Sequence, residues 1–356
     1  MDNLSFRQYL FLYLLGRFNG DRSSKSIFHL LNGKRSSQTI QDSKWYGVSE
    51  FFSMLPKWTM TDFDVETRKM ENQLFIVNSE NKAKLTEQGK LFTESFFSRY
   101  SWPSIFNGWK YGQAAPVFWK RIALTIQSLS FSLSDNRKFL PVFDDIKTQR
   151  WLKQRWPRMR AEKEELAYYI YKDLYGLLNH LPEKDASVFA GKLSGHQYTG
   201  QTLTQLAAAM NEDIDETYFR FQSTLHYLLA HAPQTTYLKE VAEGLLHEQV
   251  LTSTTKKTKR YLHQGLTIDE IAEIRGLKKS TIEDHIVELV SEGAEFSVEK
   301  YVSKPLQKRI LTTVQNSGTY RLKVIKETLA NEGMIVDYFS IRLTLAFFGG
   351  GNENAG

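Results

Sequence analysis

Eight residues from Gly195 to Thr202, Gly-His-Gln-Tyr-Thr-Gly-Gln-Thr, imitate the loop that wraps phosphates in backbone amides. Such a loop needs a lysine before its last hydroxyl residue and a strand before its first glycine. Gln201 stands at the lysine position and no strand-type run precedes Gly195, so a nucleotide-hydrolysing loop is rejected. Asp144, Asp145 and Lys147 have the residue types of a nuclease metal site, but no partner carboxylate follows at strand spacing. His247-Glu248 lacks the second histidine, one helical turn on, that a zinc pair requires. The chain has no cysteine. That removes disulfides, thiol catalysis, thiolate zinc and iron–sulfur clusters together, and it fits a reducing cytosol. Neither a nucleophile elbow nor a dinucleotide fingerprint is found. The expectation is a protein that is no enzyme, with no cofactor and no small-molecule substrate.

The remaining chemistry is that of gripping a polyanion. Lys147 to Arg160, KTQRWLKQRWPRMR, carries six basic residues and no acid. Its Arg150, Lys153, Arg155 and Arg158 can neutralise phosphates, and the Trp151 and Trp156 indoles can stack on exposed bases. The alternative is a helix with inward tryptophans and solvated charges. Pro157 argues against one continuous helix there. Lys256, Lys257, Lys259 and Arg260 form a second basic cluster, either a phosphate clamp or a solvated linker. A third candidate is the turn and helix start at Lys278, Lys279, Ser280 and Thr281, with His285 one turn on. In a DNA reader those positions face the major groove. Glu283, Asp284 and Glu288 oppose close approach to phosphate, and no Arg or Asn is poised for bidentate base contact. Binding is therefore expected through shape and backbone, with little sequence specificity, and His285 reads as a surface histidine. Near the N-terminus Lys34 and Arg35 precede Ser36-Ser37-Gln38, which suits backbone contacts, and Lys82 and Lys84 fall in a possible wing.

These groups must be positioned by a mainly α scaffold. Of 356 residues, 41% are hydrophobic, 13% aromatic and 24% charged, enough apolar material for more than one core. The net charge is +6, but residues 201–250 hold 2 basic and 7 acidic groups. No apolar run reaches the ~20 residues of a spanning helix, and no cleavage signal is evident, so neither anchor nor leader is read. Residues 1–100 read as a winged-helix-like domain. Helices are expected over 4–18, 24–31, 37–42 and 48–55, then a hairpin of 74–77 and 82–85, then a helix from 87 to 97. Residues 101–185 read as a basic helical domain, continuous in helix from 115 to 180. Leu166, Tyr169, Ile170, Leu174 and Leu177 would line its inner stripe.

Residues 186–250 read as an acidic helix-turn-helix-like module. Thr202-Leu-Thr-Gln205 makes a capping box, and the acids at Glu212, Asp213, Asp215 and Glu216 would repel phosphate. That points to scaffold or protein contact. Residues 251–348 read as a further helix-turn-helix domain, followed by a glycine-rich tail at 349–356 expected to be disordered. Its signature is Gly265–Gly293, GLTIDEIAEIRGLKKSTIEDHIVELVSEG. Thr267-Ile-Asp-Glu270 and Ser280-Thr-Ile-Glu283 are two capping boxes, and Gly276 stops the first helix between them. Ile271, Leu277, Ile282, Ile286 and Leu289 recur where the two helices would bury against each other.

Gly265–Gly293, together with Tyr320-Arg-Leu-Lys323 and Tyr338–Ala346, resembles the helicase-associated helix-turn-helix domain. That domain ends some RecQ-type DNA helicases and also the stand-alone bacterial YpbB-like proteins, which are encoded beside such a helicase. Ile27–Leu31, Gly33–Ser36 and Gln38–Asp42 look like the same family. The resemblance implies a non-enzymatic accessory factor that binds a RecQ-type helicase and DNA in repair or recombination. It implies a cytoplasmic, nucleoid-associated protein without catalytic residues of its own. The chain has no helicase motor motifs. A helix-turn-helix transcription regulator is the alternative reading.

Overall fold

A computed structural model describes residues 4–79, 82–94, 106–136, 138–246, 251–294 and 296–349. The chain opens with α1 (Phe6–Phe18), α2 (Lys25–Asn32) and α3 (Ser37–Trp45). Gly33 closes α2 in the left-handed region, at φ 76°, and Ser36 caps α3 by accepting from the Thr39 amide. A helix expected over 48–55 is only a 3-10 turn at Ser49–Phe51. Instead α4 (Met60–Asn72), capped by Thr59, precedes the hairpin. It escaped the sequence reading because only Phe63, Thr67 and Met70 of it are buried, within an otherwise polar stretch. Strands β1 (Ile76–Ser79) and β2 (Lys82–Leu85) pair antiparallel, Ile76 opposite Leu85 and Ser79 opposite Lys82. The first strand lies two residues later than expected. The helix that follows, α5, is Glu87–Glu94, and the expected end at 97 lies outside the described residues.

The middle of the chain holds α6 (Gly108–Tyr111), α7 (Ala114–Leu133), α8 (Ile146–Arg155) and α9 (Arg160–Leu178). Residues 115–180 are thus not continuous helix. The chain leaves α7 through Asp135, at φ 54°, and Pro157 divides α8 from α9. Then come α10 (Glu183–Gly191), α11 (Leu203–Met210), α12 (Ile214–His231) and α13 (Leu238–Ala242). Last are α14 (Ser253–His263), α15 (Ile268–Arg275), α16 (Lys279–Ser291), α17 (Lys304–Ser317), α18 (Leu322–Asn331) and α19 (Tyr338–Gly349). The tail at 350–356 and the His247-Glu248 pair lie outside the described residues.

The chain packs as two compact units, which regroup the segments expected from sequence. One unit joins residues 1–10 to 95–247, and the other joins 11–94 to 248–356. The expected boundary at 185/186 falls inside α10. In the first unit Phe118, Phe189, Leu225 and Leu228 form a buried core. Its inner stripe on α9 is as expected: Ile170 and Leu174 are buried, with Leu166, Tyr169 and Leu177 packed beside them. Buried Asp173 accepts the amides of Thr236, Tyr237 and Leu238 at 2.6–3.2 Å, fixing the start of α13. In the second unit α3 packs against α16 and α19. Trp45 therefore belongs to the core of Ile271, Ile282, Ile286 and Leu343. Asp21, just after α1, accepts the Tyr46 hydroxyl, the Thr319 hydroxyl and the Tyr320 amide at 2.7–3.0 Å. Helices α2 to α4 and the last helices of the chain belong to one compact unit.

Candidate nucleic-acid interface

The helix-turn-helix is built on three helices. Thr267 caps α15 and Glu270 reaches back to the Thr267 amide at 2.8 Å, so the first capping box is present as read. Gly276 ends α15 at φ 59°, in the left-handed region that suits a glycine. The second box is absent. Lys278 occupies the N-cap position without a side-chain cap, and Ser280 already lies inside α16. The helix starts two residues earlier than Ser280-Thr-Ile-Glu283 suggested. Ile271, Ile282, Ile286 and Leu289 are buried, and Leu277 packs against them.

The basic cluster at 256–260 is not a linker. It rides on α14, which buries Thr255 and Thr258 and turns Lys256, Lys257 and Arg260 outward, with Lys259 half-buried. A polar seam, invisible in sequence, holds α14 to its neighbours. Glu288 is buried, and accepts the Thr252 amide at 2.6 Å, the Thr252 hydroxyl at 3.1 Å and the Thr255 hydroxyl at 2.6 Å. His285 corrects its reading as a surface residue: it is 5% exposed, its Nδ1 lies 2.8 Å from the Thr258 hydroxyl and its Nε2 3.3 Å from that of Thr254. Burial, and next the Arg275 guanidinium, hold its pKa below the ordinary imidazole value. Arg275 itself donates to Thr258 and to the Thr254 carbonyl and hydroxyl. Asp284 pairs with Arg342. So Glu288 does not face DNA at all, and Asp284 is neutralised.

Consequently α16 is a core helix, not a free reading helix. From Ile282 onward every residue of it is buried or half-buried. What it exposes is its first turn: Lys278, Lys279 and Ser280, with Thr281 half-buried. Lys279 pairs with Asp269 at 3.0 Å. Two ammonium groups, one of them paired with Asp269, and a hydroxyl at the positive end of a helix make a place for phosphate oxygens.

The N-terminal candidates fare differently. Lys34 is exposed and lines a polar cleft of about 460 Å³ with Lys25 and His29. Arg35 is half-buried within the electrostatic reach of Glu288 and Glu292, which withdraws it from a DNA face. The helix after it, α3, buries Thr39 to Ser43 and Trp45, so it cannot read a groove. On the hairpin Lys84 is exposed, its stem lying against Gly20, and Lys82 is half-buried.

In the other unit the basic tryptophan stretch divides. Trp151 corrects the stacking role given to it. It is buried, and the Arg121 and Arg155 guanidiniums lie 4.8 and 5.1 Å from its ring centroid. Arg155 is also paired with Glu243 at 2.7 Å. Arg150, Lys153 and Arg158 are exposed, and Trp156 is half-exposed. The acidic turn is self-neutralised: Glu212 and Glu216 meet Arg220, and Asp215 meets Arg7. Asp213 caps α12. Asp145 caps α8, and the described residues contain no group of three or more side chains able to hold a metal ion. The imitation phosphate loop follows a helix, α10, and its Gly200 amide is taken by Ser194. No described helix is long and apolar enough to cross a membrane.

Comparison with known proteins agrees with this picture. Residues 254–345 match the family described as a helix-turn-helix domain, which starts within α14 and ends in α19. That match supports DNA binding. The chain is 33% identical over 347 residues to Protein YpbB of Bacillus subtilis (strain 168), covering 96% of this chain and 97% of that protein. No solved structure matches.

Proposed function

Since the chain belongs to the YpbB-like family, we propose that it is a non-enzymatic accessory factor that holds DNA by its phosphates beside a RecQ-type helicase, in repair or recombination. The observation that carries the DNA part is the burial of α16 beyond its first turn. A helix that offers Lys278, Lys279 and Ser280 and little else grips a backbone without reading bases. Lys256, Lys257 and Arg260 on α14 add exposed cations to the same domain. The helicase part rests on the family resemblance of Gly265–Gly293 and of the N-terminal residues. A transcription regulator would need an exposed reading helix and a spaced operator; the burial of α16 disfavours it.

Two measurements test the reading. Titrating a blunt random duplex at several salt concentrations gives a slope of roughly −0.9 per neutralised phosphate. Replacing Lys278 and Lys279 by Ala should flatten that slope by up to about two units, equally on all duplex sequences. Strong preference for one duplex sequence would reverse the backbone assignment. For the helicase part, the tagged chain should retain the RecQ-type helicase of its own cell at physiological salt. Absence of the helicase from the retained fraction, and from a mixture of the two purified proteins, removes the accessory role.

A further inference from the structure

We propose that the cavity between α7, α8 and the start of α9 is a site for an unpaired nucleotide, its base against Trp156 and its phosphate on Lys153, Arg158 and Lys163. The cavity holds about 590 Å³, within the ~300–1,000 Å³ typical of small-ligand clefts. Phe139 and Trp156 supply aromatic wall, and Gln149 supplies a side-chain amide. Among the described residues, three cations line the cavity and no carboxylate does. That charge balance favours an anionic occupant over an apolar one.

The two tryptophans of the basic stretch make the contrast sharp. Trp151 is sealed between guanidiniums, whereas Trp156 is half-exposed and lines the cavity. The Lys163 ammonium lies over the Trp156 ring, 5.8 Å from its centroid. A base stacking on that indole would displace this cation–π contact and leave the ammonium beside the nucleotide's phosphate. Phe139 is held in place by stacking on Phe131, with centroids 4.6 Å apart. Aromatic rings bind any base by its face, so the site would be tolerant of sequence. A duplex keeps its bases stacked inside, so the ligand is a single strand or a free nucleotide. The inference shares with the proposed function only the premise that the chain meets nucleic acid.

The test uses the full chain and three probes: a fluorescein-labelled oligothymidylate of about 15 nucleotides, an abasic strand of equal length, and thymidine monophosphate. The thymidylate strand should bind more tightly than the abasic one and quench tryptophan fluorescence. Trp156→Ala should weaken thymidylate binding roughly ten- to hundredfold, leave the abasic strand unchanged, and so erase the difference. Trp156→Phe should restore most of it. Lys153→Ala with Arg158→Ala, both on exposed side chains that cannot unfold the core, should flatten the salt slope on both strands by up to about 1.4 units. Binding of the monophosphate as tight as that of the strand identifies the ligand as a free nucleotide in the same pocket. Equal affinity for base-bearing and abasic strands overturns the proposal, as does equal weakening of both by Trp156→Ala. A cavity meant for a polypeptide would show no quenching with any probe, which also overturns it. Duplex binding is scored in parallel with the Lys278/Lys279 variant, so loss of one activity does not count against the other.

Discussion

Replacing Trp45 by Ala should loosen the helix-turn-helix at the far end of the chain. Trp45 closes α3 and is 6% exposed, inside the core that Ile282 and Ile286 of α16 and Leu343 of α19 share. Its ring also stacks on Tyr320, centroids 6.1 Å apart at 19°. Removing a buried indole of this kind costs about 3–5 kcal/mol through lost burial and the cavity left behind. The ring pairing adds about 0.5–1.5 kcal/mol in part overlapping with that figure. Its Nε1 has no hydrogen-bond partner among the described residues, so none is forfeited there. About 4 kcal/mol is a large part of the ~5–15 kcal/mol that stabilises a domain. Urea unfolding should show the loss, and hydrogen exchange should show it in the amides of residues 282–290. Full protection of those amides in Trp45→Ala, with exchange increased only before residue 94, would refute the single-unit reasoning.

Three further outcomes follow from the same geometry. Asp269→Asn frees Lys279 from its ion pair, and should tighten duplex binding about two- to fivefold at low salt and hardly at all at high salt, as measured by anisotropy. Glu288→Ala takes the acceptor from the Thr252 amide and one partner each from the Thr252 and Thr255 hydroxyls, which keep their bond to each other, and should cost about 1–3 kcal/mol in urea titration, with α14 losing protection first. Burial pushes His226 down to about 3 while the unfolded imidazole titrates near ~6.5. Between those values the unfolded chain holds the extra proton, so stability is full above ~6.5 and falls by about 1.4 kcal/mol per unit as the pH drops. Buried His285, also lowered, acts in the same direction, whereas Asp42 and Asp185, raised by burial, act oppositely near the carboxylate range. His226→Gln should shrink the pH dependence between 6 and 5 by about one proton; an unchanged slope would show that His226 is charged in the fold.

Local signals were legible and tertiary ones were not. Thr267, Gly276 and the apolar repeat of 271–289 fix two helices because capping, the left-handed stop and helical period are all short-range. The same logic misplaced a cap at Ser280, since Lys278 begins a helix as well once Leu277 is anchored in the core. His285 falls three residues after Ile282 and four before Leu289, on the buried face, but its polarity and its neighbour Asp284 make it read as solvated. Its burial is decided by Thr254 and Thr258 on another helix. The aromatic face of α9 is the opposite case. Tyr169 packs inward with Leu166, Ile170, Leu174 and Leu177 as their spacing indicated, and Tyr168, Tyr171 and Tyr175, off that stripe, are exposed. The joining of residues 11–94 to 248–356 has no local signature at all.

That joining also explains why a helix-turn-helix need not read sequence. A reading helix enters a groove about 12 Å wide with its amino-terminal residues and the outward face that continues from them. Here α16 is enclosed by α14, α15, α19 and, from the N-terminal segment, α3. Burying it gains core, and leaves only its amino end for a partner. An amino end attracts anions, and the lysines and serine there suit phosphate oxygens, with no Asn or Gln present to read adenine. On the proposed reading, weak base discrimination would follow from the packing that joins residues 11–94 to 248–356. If Trp45→Ala releases α3 without unfolding α16, duplex affinity should be unchanged while the amides of α16 become less protected.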